Sequence, residues 1–275
     1  MMEASSGSWS IIPAENIIAA INQGRESSSP CLLMVVDSAE EGRLMLEALQ
    51  IGVDGIVLRT ACEQEVKGMS SWMRSMDLVS RDESALPLEL VTVTKIQLLG
   101  SGDRACIDLS SLMLPGEGLL VGSFCRGLFL VHSECGENEF IASRPFRVNA
   151  GPVHSYVHKN IQAETAYLSE LQSGTDIVIV DAKTRRMRPS IIGRVKIESR
   201  PLVLVEAISS GGSLISIQLQ NAETVQLVTQ LQSSSGDVTP ISVKELKVGD
   251  KVLALINDGV ARHTGTAIKE FLKEV

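Results

Sequence analysis

The chain has 275 residues, enough for one large domain or two ordinary ones with a substantial core. Its formal net charge of -8 argues against a nucleic-acid binder, which needs a basic footprint for phosphates; only a local basic pocket, built for instance from Arg144 and Arg147, stays open. At 44% hydrophobic and 3% aromatic, the core must be filled by Val, Ile, Leu and Ala, which suits buried strands and βα units and not an aromatic platform for RNA.

The five cysteines (Cys31, Cys62, Cys106, Cys125, Cys135) are odd in number and form no CxxC pair, so they read as reduced thiols of an intracellular protein. The opening MMEASSGSWS has neither the basic and apolar regions of a secretory signal nor the arginines of a transit peptide. No run approaches the roughly 18 apolar residues that a membrane span needs. A cytoplasmic protein is expected, or a plastid one if the source is a plant or alga.

In chain order, IIPAENIIAAI (Ile11 to Ile21) places Ile17, Ile18 and Ile21 at helical spacing after a proline. CLLMVVD (Cys31 to Asp37) is a short continuous apolar run, which favours a buried parallel strand. Asp37 or Ser38 then caps a helix over AEEGRLMLEALQIG that ends at Gly52, and VDGIVLRT returns as a second strand. Strand, helix and strand in this span make a βαβ unit, whose ligands gather at the carboxyl ends of the strands, here Asp37 and Arg59 with Thr60. Residues 62–86 read as a helix and a polar linker, with SRDESALP (Ser80 to Pro87) as the boundary. Two regions are expected, an α/β part over 1–86 and a β-rich part over 87–275.

Beyond the boundary the pattern changes to short strands between Gly, Asp and Pro turns: LELVTVTKIQLLG, RACIDLSS, GLLVGSF and GLFLVHSE, then DIVIVDA, IIGRVKIESR, PLVLVEAIS, LISIQLQN, TVQLVT and KVLALIN. LKVGDKVL carries a Gly-Asp turn between apolar strands, as small barrels do. The fold class is therefore an incomplete βα-type layer followed by barrel-like strands. The closing ARHTGTAIKEFLKEV reads as an exposed amphipathic helix.

Dinucleotide, P-loop, zinc-protease and hydrolase signatures are all absent, and GSGDR (Gly100 to Arg104) reads as a hairpin turn. Chemistry-bearing residues concentrate in residues 122–158. In HSE, alternation places His132 and Glu134 on one strand face, as an acid/base pair, as two ligands of a metal, or simply as a solvated strand end. In RPFRVNAGPVH, Pro145 extends the chain, Arg147 and Asn149 share a face, and AGP turns His154 toward it. Arginine offers a bidentate fork for carboxylate or phosphate, although the same residues would equally pin a loop. His158 and His263 are single polar histidines, and Trp9 and Trp72 read as packing residues.

WSIIPAENIIA, GVDGIVLRT, VTKIQLLGSGDRACIDLSSLM, GEGLLVGSFCRGLFLVHSE, ASRPFRVNAGPVHSYV, GRVKIESRPLVLVEA and ARHTGTAIKE resemble, in order and over nearly the whole chain from Trp9, the archaeal-type or type II 3-dehydroquinate synthases. The resemblance implies an oxidoreductase that uses NAD to deaminate 2-amino-3,7-dideoxy-D-threo-hept-6-ulosonate. The resulting dioxo acid cyclises by an intramolecular aldol step to 3-dehydroquinate, on the shikimate route to aromatic amino acids. It implies no metal.

In that light Arg144 or Arg147, with Asn149, is expected to bind the substrate carboxylate. His132, Glu134 and His154 are expected to move protons, and Lys95 to activate a carbonyl. With no Gly-rich fingerprint, the NAD contacts are not assigned. The expected partner is a small keto or amino sugar acid; a homo-oligomer is allowed, and neither nucleic acid nor membrane is expected. Relatives usually carry an α/β stretch of about a hundred residues before the Trp-x-Ile-Ile-Pro segment. This chain is expected to lack those first strands, leaving a sheet edge open. That keeps two rivals in play: a non-catalytic relative that binds small carboxylates or another protein, and a metal-dependent lyase built on His132 and Glu134.

Overall fold

A computed structural model of the chain describes residues 32–47, 53–80, 85–136, 142–160, 164–230, 238–257, 261–263 and 266–268. The helix expected over Ile11 to Ile21 lies outside the described residues. The chain divides into two compact units, Met1–Asp77 and Leu78–Val275. Among the described residues no helix is long and apolar enough to cross a membrane.

In the first unit, β1 (Leu33–Val36) and β2 (Gly55–Leu58) pair in parallel, joined through helix α1 (Ala39–Glu47), so the expected βαβ unit is present. The Ser38 hydroxyl accepts the Glu41 N–H at 3.1 Å and caps α1. Val36, Met45 and Val53 form a small core with Ile56 and Leu58. At the carboxyl ends of the two strands, Arg59 donates to Asp37 through Nε at 2.7 Å and Nη2 at 3.1 Å, so these two candidates neutralise each other on the surface. Helix α2 (Glu63–Ser80) follows.

Among the described residues, the second unit is built on one antiparallel sheet of twelve strands. In chain order they are β3 (Leu88–Leu109), β4 (Glu117–Phe124), β5 (Gly127–His132), β6 (Arg147–Pro152), β7 (Tyr156–His158), β8 (Thr165–Tyr167), β9 (Asp176–Asp181), β10 (Met187–Ile208), β11 (Leu214–Gln220), β12 (Gln226–Gln230), β13 (Val238–Ser242) and β14 (Lys251–Ile256). β5, β14, β3, β10, β9 and β4 pair in a closed circuit, because β4 also pairs β5. The barrel-like form expected from the sequence is met to that extent and no further. Aliphatic side chains fill the main core: Val91, Ile107, Leu119, Val131, Ile179, Val205 and Ile217 are all buried, as the scarcity of aromatics requires.

Three expectations change. First, LELVTVTKIQLLG and RACIDLSS are not two strands joined by a GSGDR hairpin but one strand, β3, of 22 residues. Likewise IIGRVKIESR and PLVLVEAIS form the single 22-residue β10, running through Pro201. The two pair side by side, and the register jumps from Pro201↔Ser101 to Val203↔Leu98. Leu99 and Gly100 thus face Leu202 alone, which is a β-bulge, a place where both glycine and proline are tolerated. Second, the AGP segment does not turn: Ala150, Gly151 and Pro152 finish β6, and the turn falls on Val153 and His154. Third, part of the expected closing helix is instead a strand pair, β15 (Ala261–His263) with β16 (Thr266–Ile268). The Thr-Gly dipeptide between these pieces of sequence is a hairpin-type signal that competes with helical periodicity.

Candidate active site

The second half of β3 lies between β10 and β6, and the two registers build a polar face row by row. Arg194, Asp108 and Arg147 stand in one cross-strand row; Lys196, Cys106 and Asn149 in the next; Glu198 faces Arg104 in a third. Alternate residues of a strand point to one side, so these share a face, while Ala105, Ile107 and Val148 between them are fully buried in the core on the other. Arg104, Cys106, Arg147, Asn149, Lys196, Glu198 and Arg200 floor a cleft of about 260 Å³. Glu134 and Arg144 close one side of it, and Gln220 at the end of β11 with Ala222, Glu223 and Thr224 lines another. Five cationic and three carboxylate side chains line the cleft, so it is positive although the whole chain is negative.

Asp108 anchors the first row. Arg147 forks onto it through Nε at 2.6 Å and Nη2 at 2.9 Å, and Arg194 donates to the same carboxylate from the other side. Burial pushes the Asp108 carboxyl up, but the hydrogen bonds from both arginines outweigh burial and hold it below the usual carboxylate range. The same pairing raises the Arg147 pKa. Arg147 is therefore a fixed, buried positive charge with two of its donors committed. Asn149 donates to Gln220 Oε1 at 2.9 Å, and its own Oδ1 is buried without a donor among the described residues. Burial pushes the Cys106 thiol up to about 11, so at neutral pH it is a protonated thiol and not a nucleophile.

Glu134 is buried and pairs with the half-exposed Arg144 at 3.2 Å; the two residues also form an isolated β-bridge that folds the segment back on itself. The cleft thus gathers four of the residues singled out from the sequence: Glu134, Arg144, Arg147 and Asn149.

It does not gather His132, His154 or Lys95. β5 ends at His132, so the alternation that should have aligned it with Glu134 stops there. The His132 ring is buried and occupied at both nitrogens: Nδ1–H donates to the Ser133 carbonyl at 2.7 Å, and Nε2 accepts the Gly116 N–H at 2.9 Å. Burial lowers its pKa, so it is a neutral ring that holds the turn before β4. His132 with Glu134 is accordingly not placed as a pair of metal ligands. His154 sits exposed in the turn after β6. Lys95 lies in the first half of β3, exposed and paired with Glu206 at 3.2 Å. His158 is buried in β7, and the side chain of His263 lies outside the described residues.

A family model described as 3-dehydroquinate synthase II C-terminal domain matches residues 90–275, and one described as 3-dehydroquinate synthase II N-terminal domain matches residues 4–73. The 3-dehydroquinate synthase of Methanococcus maripaludis strain C5 is 48% identical over 266 residues, which span 97% of this chain and 68% of that protein. The chain belongs to the type II 3-dehydroquinate synthase family. The proteins of that name from Methanosphaera stadtmanae and Methanocaldococcus jannaschii are each 46% identical over the same 97% of the chain, covering 69% and 68% of their own lengths. No solved structure matches the chain. Beyond the residues singled out from the sequence, the cleft is lined by Arg104 on β3 and by Lys196, Glu198 and Arg200 on β10, and Asp108 on β3 anchors Arg147 beside it. Their signal was present as alternation, R-x-C-x-D at 104–108 and R-x-K-x-E-x-R at 194–200, which a solvated strand face would show equally.

Proposed function

We propose that the chain catalyses the NAD-dependent oxidative deamination of 2-amino-3,7-dideoxy-D-threo-hept-6-ulosonate and the cyclisation of the resulting dioxo acid to 3-dehydroquinate, with the β3–β6–β10 cleft as its substrate site. The observation that carries this reading is the cleft's combination of a positive floor with one buried carboxylate, Glu134, at its side. A small acid needs the first, and proton transfer needs the second.

Arg147, locked by Asp108, provides a charge that does not have to reorganise when the substrate carboxylate arrives. Arg144, tied to Glu134 through Nη1 only, retains donors for the same carboxylate. Asn149, with an unmet Oδ1, is suited to a substrate hydroxyl or ammonium. Glu134 is the acceptor for the proton that leaves the nitrogen on oxidation. Once that proton has passed to water, Glu134 takes in ring closure a proton from the methyl carbon beside the ketone, whose carbanion equivalent attacks the new 2-oxo carbon. The resulting alkoxide is protonated, so the aldol step conserves all atoms. Deamination itself releases ammonium when water adds to the imine.

NAD, when bound, would supply the hydride acceptor for oxidation at the amine-bearing carbon. Ligand pockets generally span about 300–1,000 Å³. At about 260 Å³ the cleft suits a small acid and the nicotinamide end at most, not a whole dinucleotide. The half-exposed cations Lys196 and Arg200 are the residues that would hold the diphosphate.

The test is steady-state kinetics of Glu134→Gln and Arg144→Ala. Glu134→Gln should lower kcat by about a hundredfold or more, and Arg144→Ala should act mainly through KM. Wild-type kinetics in both variants would overturn the assignment.

A further inference from the structure

One carboxylate in the cleft is shared by three cations. Glu198 accepts from Arg104 Nη2 through Oε2, and from Lys196 Nζ and Arg200 Nη2 through Oε1, each at 3.1 Å. The arrangement follows from the period of the strand: Glu198 is the direct cross-strand partner of Arg104, and Lys196 and Arg200 are its same-face neighbours two residues away on β10. The cluster carries two positive charges in excess of its one negative charge.

It is also graded from inside to outside. The Arg104 side chain is 5% exposed and Glu198 28%, while Lys196 and Arg200 are 45% and 43% exposed. The outer two face solvent and can leave Glu198 at little cost. The inner one is not fully satisfied even with Glu198 in place, because Arg104 Nε is buried with no acceptor among the described residues. A buried donor without an acceptor is costly to keep, and beneath a positive cleft it favours the approach of a further anion. Arg147 makes the contrast clear: its carboxylate partner is bidentate and buried, so that pair stays together when a ligand arrives.

We infer that Glu198 is a built-in competitor anion: it holds Arg104, Lys196 and Arg200 together and yields them to the phosphate or carboxylate group of a bound ligand. The cluster is then an exchangeable anion subsite, and Glu198 sets how strongly a ligand anion must bind to enter it. The function proposed above bears only on the source of the anion, either the diphosphate of the dinucleotide or the carboxylate of the substrate.

Calorimetric titration of the full chain with inorganic pyrophosphate, and separately with pyruvate, tests this without turnover. Glu198→Gln keeps the shape of the side chain and removes its charge, and should bind the anion about tenfold more tightly than wild type. The double variant Lys196→Ala/Arg200→Ala should bind it at least about tenfold more weakly. A gain confined to pyrophosphate assigns the subsite to the dinucleotide, and one confined to pyruvate assigns it to the substrate; either supports exchange. If Glu198→Gln does not fold, Glu198→Asp, with a shorter reach, should still gain about threefold. Unchanged or weaker binding of both anions by the Glu198 variant that folds overturns the inference. NADH formation by the wild-type chain is read separately. Normal NADH formation with no gain in anion affinity sinks the inference alone, and a gain without any NADH formation sinks the proposed reaction and leaves the subsite standing.

Discussion

Asp108 offers the sharpest stability prediction, because it holds two arginines of very different exposure. The Arg147 side chain is 10% exposed and meets Asp108 with a full fork, whereas Arg194 is 63% exposed. Removing one partner of a buried ion pair leaves the other charge uncompensated, at a cost of about 3–5 kcal/mol. A pair that water screens contributes about 0–1 kcal/mol. Asp108→Ala should therefore cost about 3–5 kcal/mol in urea unfolding, and Arg194→Ala less than about 1 kcal/mol. Arg147→Met should fall between them, since Asp108 keeps Arg194. The double variant Asp108→Ala/Arg147→Met removes the stranded charge and should recover at least about 2 kcal/mol of the Asp108→Ala loss. The assay is a double-mutant cycle of midpoints at constant denaturant slope. Equal losses for Asp108→Ala and Arg194→Ala, or no recovery in the double variant, would refute the reasoning that burial decides which arginine matters.

Other consequences can be measured. Gly151 has φ +101°, and a methyl group there would come within 2.3 Å of the Gln218 carbonyl oxygen; Gly151→Ala should cost about 2 kcal/mol or more and weaken ligand binding through the neighbouring Gln220. The His132 pKa is lowered by burial, so the unfolded state binds protons more readily. Stability should be insensitive to this group above about pH 6.5 and fall as pH drops below that value. His132→Asn, less stable at pH 7.5, should show a shallower acid slope in urea midpoints, and an unchanged slope would contradict the assignment. Lys95→Ala and His154→Ala should leave kcat/KM within about twofold of wild type, because neither side chain lines the cleft; a loss beyond about tenfold would return them to the site.

How much of this could be read in the residues depended on whether the signal was local. The βαβ unit was legible because its apolar runs, its Ser38 cap and its polar helix face all lie within one short span. The cores of the strands were legible for the same reason. The lengths of β3 and β10 were not. Gly100, Gly102 and Pro201 break a strand or make a bulge within it with equal local justification, and only the partner strand decides. In the cleft, Arg144, Arg147 and Asn149 stood out because polar groups were concentrated around prolines and turns. Arg104 and Glu198, 94 positions apart, look like solvated face residues until the register sets them opposite one another. His132 misled in the other direction. A histidine beside a carboxylate suggests chemistry, but its strand ends at that residue and both nitrogens hold backbone groups.

The central claim is that this chain carries out the deamination and ring closure in its own cleft. Purified chain incubated with 2-amino-3,7-dideoxy-D-threo-hept-6-ulosonate and NAD, with NADH followed spectroscopically and 3-dehydroquinate by mass spectrometry, tests it most directly. The account predicts that NADH and 3-dehydroquinate form in equal amounts and that both disappear in Glu134→Gln. A folded chain that yields neither product, or a Glu134→Gln variant that yields both at the wild-type rate, would contradict it.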